Sequence, residues 1–312
     1  MPDSARVAVV GSLNLDLVVR VPRLPGPGET LLADGYGQSL GGKGANQAVS
    51  AARHGVAVTM VGCVGDDPDG ARLTGALKAE GVDVTGVRKR PGAPTGVAQI
   101  AVDPGGTNTI IVAQGANATL TADDVREGLG RAPDIAVVLM QLEIPLDAVT
   151  AGAGAPDACI VLNPAPAREL PEELLRRVDV LVPNLPELAE LTGGGTPDSL
   201  DEIADRARRL AVRGAVVVTL GERGALVLAS EGDTHVPAPE VEAVDTTGAG
   251  DAFCGSLAAQ LARGRGLVDA VRDAVLVGAL SVTRPGALEA FPAREEIRTA
   301  LGRRSDGGSA TP

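Results

Sequence analysis

Cys159-Ile160-Val161-Leu162, then Leu170-Pro171-Glu172-Glu173-Leu174-Leu175-Arg176-Arg177, then Val178-Asp179-Val180-Leu181-Val182 set the architecture. The first and third runs are short, apolar and rich in β-branched residues, as buried strands are. The run between them has a helical spacing of leucines and charges. The same alternation extends outward in both directions. Strands are expected at Val7–Val10, Val58–Gly62, Ile135–Met140 and Val216–Leu220. Helices are expected at Ala45–Arg53, Gly70–Glu80 and Leu200–Arg213. Repeated strand–helix alternation predicts an α/β fold: a mostly parallel, doubly wound sheet with helices on both faces.

Two segments break the rhythm. Residues 16–38 hold Pro22, Pro25 and Pro27 among short apolar runs. Residues 95–113 hold two strand-like runs around Asp103-Pro104-Gly105-Gly106. Both suit a small β element projecting from the main sheet, and ordinary surface hairpins suit the same residues. No linker divides the 312 residues, so one domain is expected, with a Gly/Ser-rich disordered tail from Arg303 to Pro312.

Composition excludes several classes. Net charge is −12, with no basic cluster for a nucleic acid. No apolar run reaches the roughly 18 residues of a membrane span. The N-terminus lacks a signal-peptide layout, so the cytoplasm is the expected compartment. Cys63, Cys159 and Cys254 are far apart and odd in number, which suits buried free thiols rather than disulfides or zinc. Lysine occurs three times and asparagine six times, so either residue stands out here.

Three stretches carry chemistry. Asp245-Thr246-Thr247-Gly248-Ala249-Gly250-Asp251 precedes a helix marked by Phe253, Leu257 and Leu261 and closed by Gly264. Glycines at a helix start let N–H groups converge on an anion, with the helix dipole behind them. Asp251 at such a mouth repels phosphate in the ground state, a cost that makes sense for a general base taking a proton from a hydroxyl. Asp and Gly are also common helix-cap and turn residues. Gly41-Gly42-Lys43-Gly44-Ala45-Asn46-Gln47-Ala48 opens a second helix. It nearly matches a Walker A loop but has Gly44 where a magnesium-binding hydroxyl belongs, so a P-loop is rejected. Lys43 and Asn46 there suit hydrogen bonds to a polyol. Val9-Val10-Gly11-Ser12-Leu13-Asn14-Leu15-Asp16 ends a strand where open α/β sheets bind ligands. Asp16 can accept from vicinal hydroxyls, and Asn14 can donate and accept; a polar turn explains the same residues.

Further polar residues follow other strands: Gln141, Glu143, Asn163, Asn184, Glu187, Thr219, Gly221 and Gly224. Together they read as one crevice. His54 and His235 fall outside it, so no histidine-based site is expected.

The order of these motifs resembles the ribokinase group of the PfkB carbohydrate kinases, from Val7 to about Ile297. The two glycine stretches are similar to that family's N- and C-terminal signatures. Met140-Gln141-Leu142-Glu143, Asn163-Pro164-Ala165-Pro166-Ala167 and Asn184-x-x-Glu187 are similar too. The resemblance implies transfer of a phosphoryl group from ATP to the 5-hydroxymethyl group of ribose. It implies that Asn14, Asp16, Gly42, Lys43, Asn46 and Glu143 hold the sugar and that Asp251 is the base. Gly248, Ala249 and Gly250 form the anion hole. Asn184, Thr219, Gly221 and Gly224 line the ATP site, with Glu187 near Mg2+. An activating K+ falls to Asp245, Thr247, Ser281, Arg284 and Gly286. The odd β segments correspond to the family's lid, which closes over the sugar and often forms a homodimer. Two departures stand out. The cation loop continues Ala287-Leu288-Glu289-Ala290 where many members have Gln and Ser. Val275 and Leu276 stand where relatives often have a polar adenine contact. A kinase for deoxyribose, fructose or adenosine, or a non-catalytic sugar sensor, are the competing readings.

Overall fold

The computed structural model describes residues 5–307. In chain order the strands are β1 (Arg6–Val10), β2 (Asn14–Arg20), β3 (Gly35–Gly41), β4 (Ala57–Gly65), β5 (Asp83–Arg90), β6 (Gly96–Val102), β7 (Asn108–Ala113), β8 (Ile135–Met140), β9 (Cys159–Leu162), β10 (Val180–Leu181), β11 (Ala215–Thr219), β12 (Ala225–Ala229) and β13 (Gly232–Val236). The α-helices are α1 (Lys43–Arg53), α2 (Pro68–Ala79), α3 (Ala122–Gly130), α4 (Leu146–Gly152), α5 (Glu172–Leu175), α6 (Leu185–Thr192), α7 (Leu200–Ala207), α8 (Ala249–Ala262), α9 (Leu267–Ser281) and α10 (Arg294–Gly307).

The large sheet has nine strands in the order β13-β12-β11-β10-β9-β8-β1-β4-β5. From β11 to β5 every pairing is parallel; β12 and β13 add an antiparallel hairpin at one edge. Strand periodicity sorts the core into two layers. Val7 and Val9 of β1 face the layer holding α1, α8 and α9, while Ala8 and Val10 face the layer holding α3, α4 and α7. A strand buried on both faces has no polar side, which is why these runs read as continuous β-branched sequence.

The second sheet has four strands, ordered β3-β2-β6-β7. It is formed by the two segments that broke the helical rhythm. Its strands β2 and β6 run parallel, and β3 and β7 flank them antiparallel. Register places Asp16, Ala98 and Val112 on one face, with Val18, Ile100 and Ile110. Leu17, Gln99 and Ile111 lie on the other. Strand β7 is exposed along its whole length.

Several elements differ from the sequence expectation. Helix α1 begins two residues earlier, at Lys43. The expected helix 170–177 is reduced to α5: Pro171 sits at its N-cap, and Arg176 caps its other end. The expected helix 200–213 ends at Ala207. The chain must then pass Asp179 closely: a Cβ on Gly214 would lie 2.2 Å from the Asp179 carbonyl oxygen. Helix α10 continues past Arg303, where a disordered tail was expected to begin, and the remainder of that tail, 308–312, lies outside the described residues. Cys63 and Cys254 are buried and free, whereas Cys159 is only half-buried. No helix among the described residues is long and apolar enough to cross a membrane.

Candidate active site

The site lies at the carboxyl ends of the parallel strands. After β1 the chain turns through Gly11 and Ser12 into β2, and the start of α1 rests directly on that turn. A Cβ on Gly44 would lie 2.6 Å from the Ser12 nitrogen, and one on Gly42 2.7 Å from the Asn14 nitrogen. Gly42 also has φ 87°, a conformation that glycine adopts without strain. Glycine is needed for contact here, and it lets the start of α1 close on the β1–β2 turn.

Glu143, just past β8, ties these pieces together. One oxygen, Oε2, accepts from the Ser12 hydroxyl and from the Lys43 backbone N–H at 3.1 Å. Asn14 is buried, and its Oδ1 accepts from Asn117 Nδ2 at 2.7 Å. Asn117 also clamps the backbone of Leu13, accepting from its N–H and donating to its C=O. The Asn14 NH2 is thereby left facing away from Asn117. Asp16 packs against the Gly41 backbone, where a Cβ would sit 2.1 Å from its carboxylate. Burial, then the neighbouring carboxylates of Glu143, Asp251 and Glu289, push the Asp16 pKa up to about 7.

Helix α8 enters through Gly248, whose φ of 76° is left-handed. Asp251 in its first turn is buried. Its Oδ2 accepts from Asn46 Nδ2 at 3.0 Å and its Oδ1 from Gln47 Nε2 at 2.9 Å. Asn46 Oδ1 is buried and has no protein partner. A buried acceptor without a partner is costly, and a ligand hydroxyl is its natural complement.

Two cavities meet at the start of α8. The smaller, about 180 Å³, is lined by Lys43, Asn163, Asn184, Glu187, Gly248 and Asp251. The larger, about 800 Å³, is lined by Thr219, Gly221, Gly224, Phe253, Val275 and Val282. Thr219, Thr246, Ala249 and Gly250 belong to both. The larger volume suits a nucleotide. Asn184 bridges to Thr219 as an isolated strand pair, which aligns the two.

Charges in the smaller cavity balance one another. Burial works against the Lys43 ammonium, but Asp251, Glu143 and Glu187 outweigh it and hold its pKa above the usual value. Burial raises the Glu187 pKa, opposed by the Asn184 N–H and by Lys43. Glu187 Oε2 also accepts from the Asn184 N–H at 2.9 Å in the capping box of α6.

The expected cation residues are brought together only in part. Asp245 accepts from the N–H groups of Thr247 and Gly286, both at 2.9 Å, and so joins two loops. Ser281 instead donates to the Gly278 carbonyl, and Arg284 pairs with Glu296 of α10. Their side chains are therefore engaged elsewhere.

Residues 4–294 match the model of the pfkB family carbohydrate kinases. The chain belongs to this family. A ribokinase of Schizosaccharomyces pombe is 38% identical over 93% of this PfkB kinase and 96% of that protein. A deoxyribokinase of Salmonella typhi is 38% identical over 95% of this chain and 98% of its own length. The Arabidopsis thaliana ribokinase complexed with ribose and ATP superposes with a TM-score of 0.86 at 31% identity, covering 96% of this chain and 99% of that one.

Sequence reading gave no role to Gln47, Asn117 or Ser12 in this PfkB kinase. Asn117 had a usable signal, being one of only six asparagines. Ser12 and Gln47 had none beyond lying inside quoted motifs.

Proposed function

We propose that this chain transfers the γ-phosphoryl group of ATP to the 5-hydroxyl of D-ribose, giving ribose 5-phosphate and ADP. One observation carries the reading. Asp251, gripped by Asn46 and Gln47, lines the smaller cavity at the helix start that a nucleotide-sized cavity also reaches. The relatives named above support ribose as acceptor.

In this reading Asp251 takes the proton of the sugar's primary hydroxyl as that oxygen attacks phosphorus. The N–H groups at Gly248, Ala249 and Gly250, backed by the α8 dipole, stabilise charge on the transferring group. Asp16 and Asn46 Oδ1 accept from sugar hydroxyls, Asn14 and Lys43 donate, and Gly42 leaves room for the sugar. Glu143 accepts through its second oxygen. Asn184, Thr219, Gly221 and Gly224 hold the nucleotide. Magnesium, bound with the phosphates, supplies charge neutralisation, and Glu187 is the carboxylate that would hold it. No cluster of three or more acidic, histidine or cysteine side chains suited to a metal occurs among the described residues, which fits an ion held mainly by phosphate. Potassium falls to the carbonyls around Asp245, Thr247, Ser281, Arg284 and Gly286.

The four-stranded sheet is the lid. Its face beside Asp16 carries Ile110 and Val112, which cover the sugar and exclude water. Its opposite face exposes Ile111 at 65% and Tyr36 at 75%, apolar surface that supports a homodimer.

ADP release with MgATP tests the function, using ribose, 2-deoxyribose, fructose, adenosine and no sugar, each with and without potassium. Ribose is expected to give the fastest release. Release with 2-deoxyribose alone moves the substrate and keeps the chemistry. Ribose binding without any ADP release sinks the proposal.

A further inference from the structure

We infer that Gln47 is the positioning residue that donates to the Asp251 carboxylate and aims it at the sugar hydroxyl; the inference rests on Asp251 being the base. Gln47 is fully buried on α1 and lines neither cavity. Its amide hydrogen bonds all run to protein side chains, among them that of the base.

Its amide makes three bonds. Nε2 lies 2.9 Å from Asp251 Oδ1 and 3.1 Å from Asn163 Oδ1. Oε1 accepts from Gln141 Nε2 at 2.6 Å. The direction of this chain is fixed at its far end by chemistry alone. Asn163 Nδ2 lies 2.9 Å from the Val182 backbone carbonyl. A carbonyl only accepts, so Asn163 must turn its NH2 toward Val182 and its oxygen toward Gln47. Gln47 must then answer with its NH2, and the second hydrogen of that group points at Asp251. A flipped amide would set its oxygen against both Asp251 and Asn163. The end of β10 thus dictates which face Gln47 shows to the base.

A donated N–H favours the charged form of a carboxylate. Lys43, Glu187, Asp16 and Cys254 are the titratable groups around Asp251, and Asn46 and Gln47 are its side-chain donors. Asn46 gives the second donor, but Asn46 belongs to the sugar's own shell. Gln47 is the donor whose position does not depend on the sugar.

The test compares Gln47→Met and Gln47→Glu with wild type for kcat, ribose KM, the kcat–pH profile and Tm. Gln47→Met keeps the length and removes the donor. The expected result is kcat lower by about tenfold, ribose KM within about twofold, and the acid limb moved up by about one pH unit. Ser50→Ala is the packing control. Its hydroxyl bonds the Ala252 carbonyl across the same α1–α8 contact, so it is expected to lower Tm and leave the limb in place. A Gln47→Met enzyme whose acid limb does not move overturns the inference, whatever its kcat. If neither Gln47 variant folds, Gln141→Met carries the test by releasing the Gln47 oxygen. A raised limb supports the inference and an unmoved limb overturns it. Asp251→Asn separates the two levels: near-normal turnover there removes the base itself, not only its support.

Discussion

With Asp16 holding the sugar as proposed, ribose affinity is expected to depend on pH. Its pKa is carried from 3.8 to about 7 by burial first, then by Glu143, Asp251 and Glu289. Holding this charge at neutral pH costs on the order of 4 kcal/mol relative to an ordinary carboxylate. Between pH 3.8 and about 7 the folded chain binds more protons at Asp16 than the unfolded chain does. Its contribution to stability therefore falls as pH rises through that window and is level above it. A sugar that donates hydroxyls to Asp16 favours the ionised form, so sugar and proton compete. The dissociation constant for ribose is expected to rise about tenfold per pH unit below about pH 7 and to flatten above about pH 8. Calorimetric titration of ribose from pH 5.5 to 8.5, in two buffers of different ionisation enthalpy, measures both affinity and proton release. Close to one proton per sugar is expected to leave near pH 6. Asp16→Asn should bind ribose weakly and without this slope. A flat wild-type profile, or the same slope in Asp16→Asn, refutes the reasoning.

Further outcomes follow from single contacts. Gly44→Ser restores the missing Walker A hydroxyl yet should lower Tm by about 2–8 °C, because its Cβ meets the Gly11–Ser12 backbone; an unchanged Tm in a calorimetric scan contradicts this. Asn117→Leu orphans the Leu13 N–H and C=O, costing about 2–4 kcal/mol in denaturant unfolding, and raises ribose KM by freeing Asn14. Asp245→Ala cuts the tie between the 245–247 turn and Gly286, so ADP release should lose its rise with added potassium while ribose binding persists. An undiminished potassium response would clear Asp245 of any part in the cation loop.

The central strands were legible because both faces are buried. Val7–Val10 and Ile135–Met140 carry no polar residue to blur the pattern. The edges were not. Strand β5, with sequence DVTGVRKR, borders the sheet and shows the charges that edge strands carry. The β12–β13 hairpin ends in Gly232-Asp233-Thr234-His235, which has little apolar content to mark a strand. Two helices are shorter than local spacing suggested: Pro171 at the N-cap fixes where α5 starts, and α7 is capped at Arg208, after which the chain passes close to Asp179 at Gly214. In the site, glycine stretches exposed the helix starts, so Lys43, Asn46 and Asp251 were visible in the sequence. The hold of Gln47 on Asp251 spans 204 residues, and no local pattern reports a contact of that range. Ser281 and Arg284 fit the cation motif by position, but their side chains found partners in Gly278 and Glu296.

The packing of α1 on α8 has a consequence during synthesis. Asn46 and Asp251 are 205 residues apart, so at ribosomal speeds α1 waits roughly 10–40 s for its partner to be made. Through that interval Ala45, Ala48 and Val49 have no α8 to cover them. Loops this long close late, so the nascent chain passes a stage at which most of the sheet exists without its reactive centre. Premature release then yields a sticky, inert fragment, a substrate for holdases and proteases.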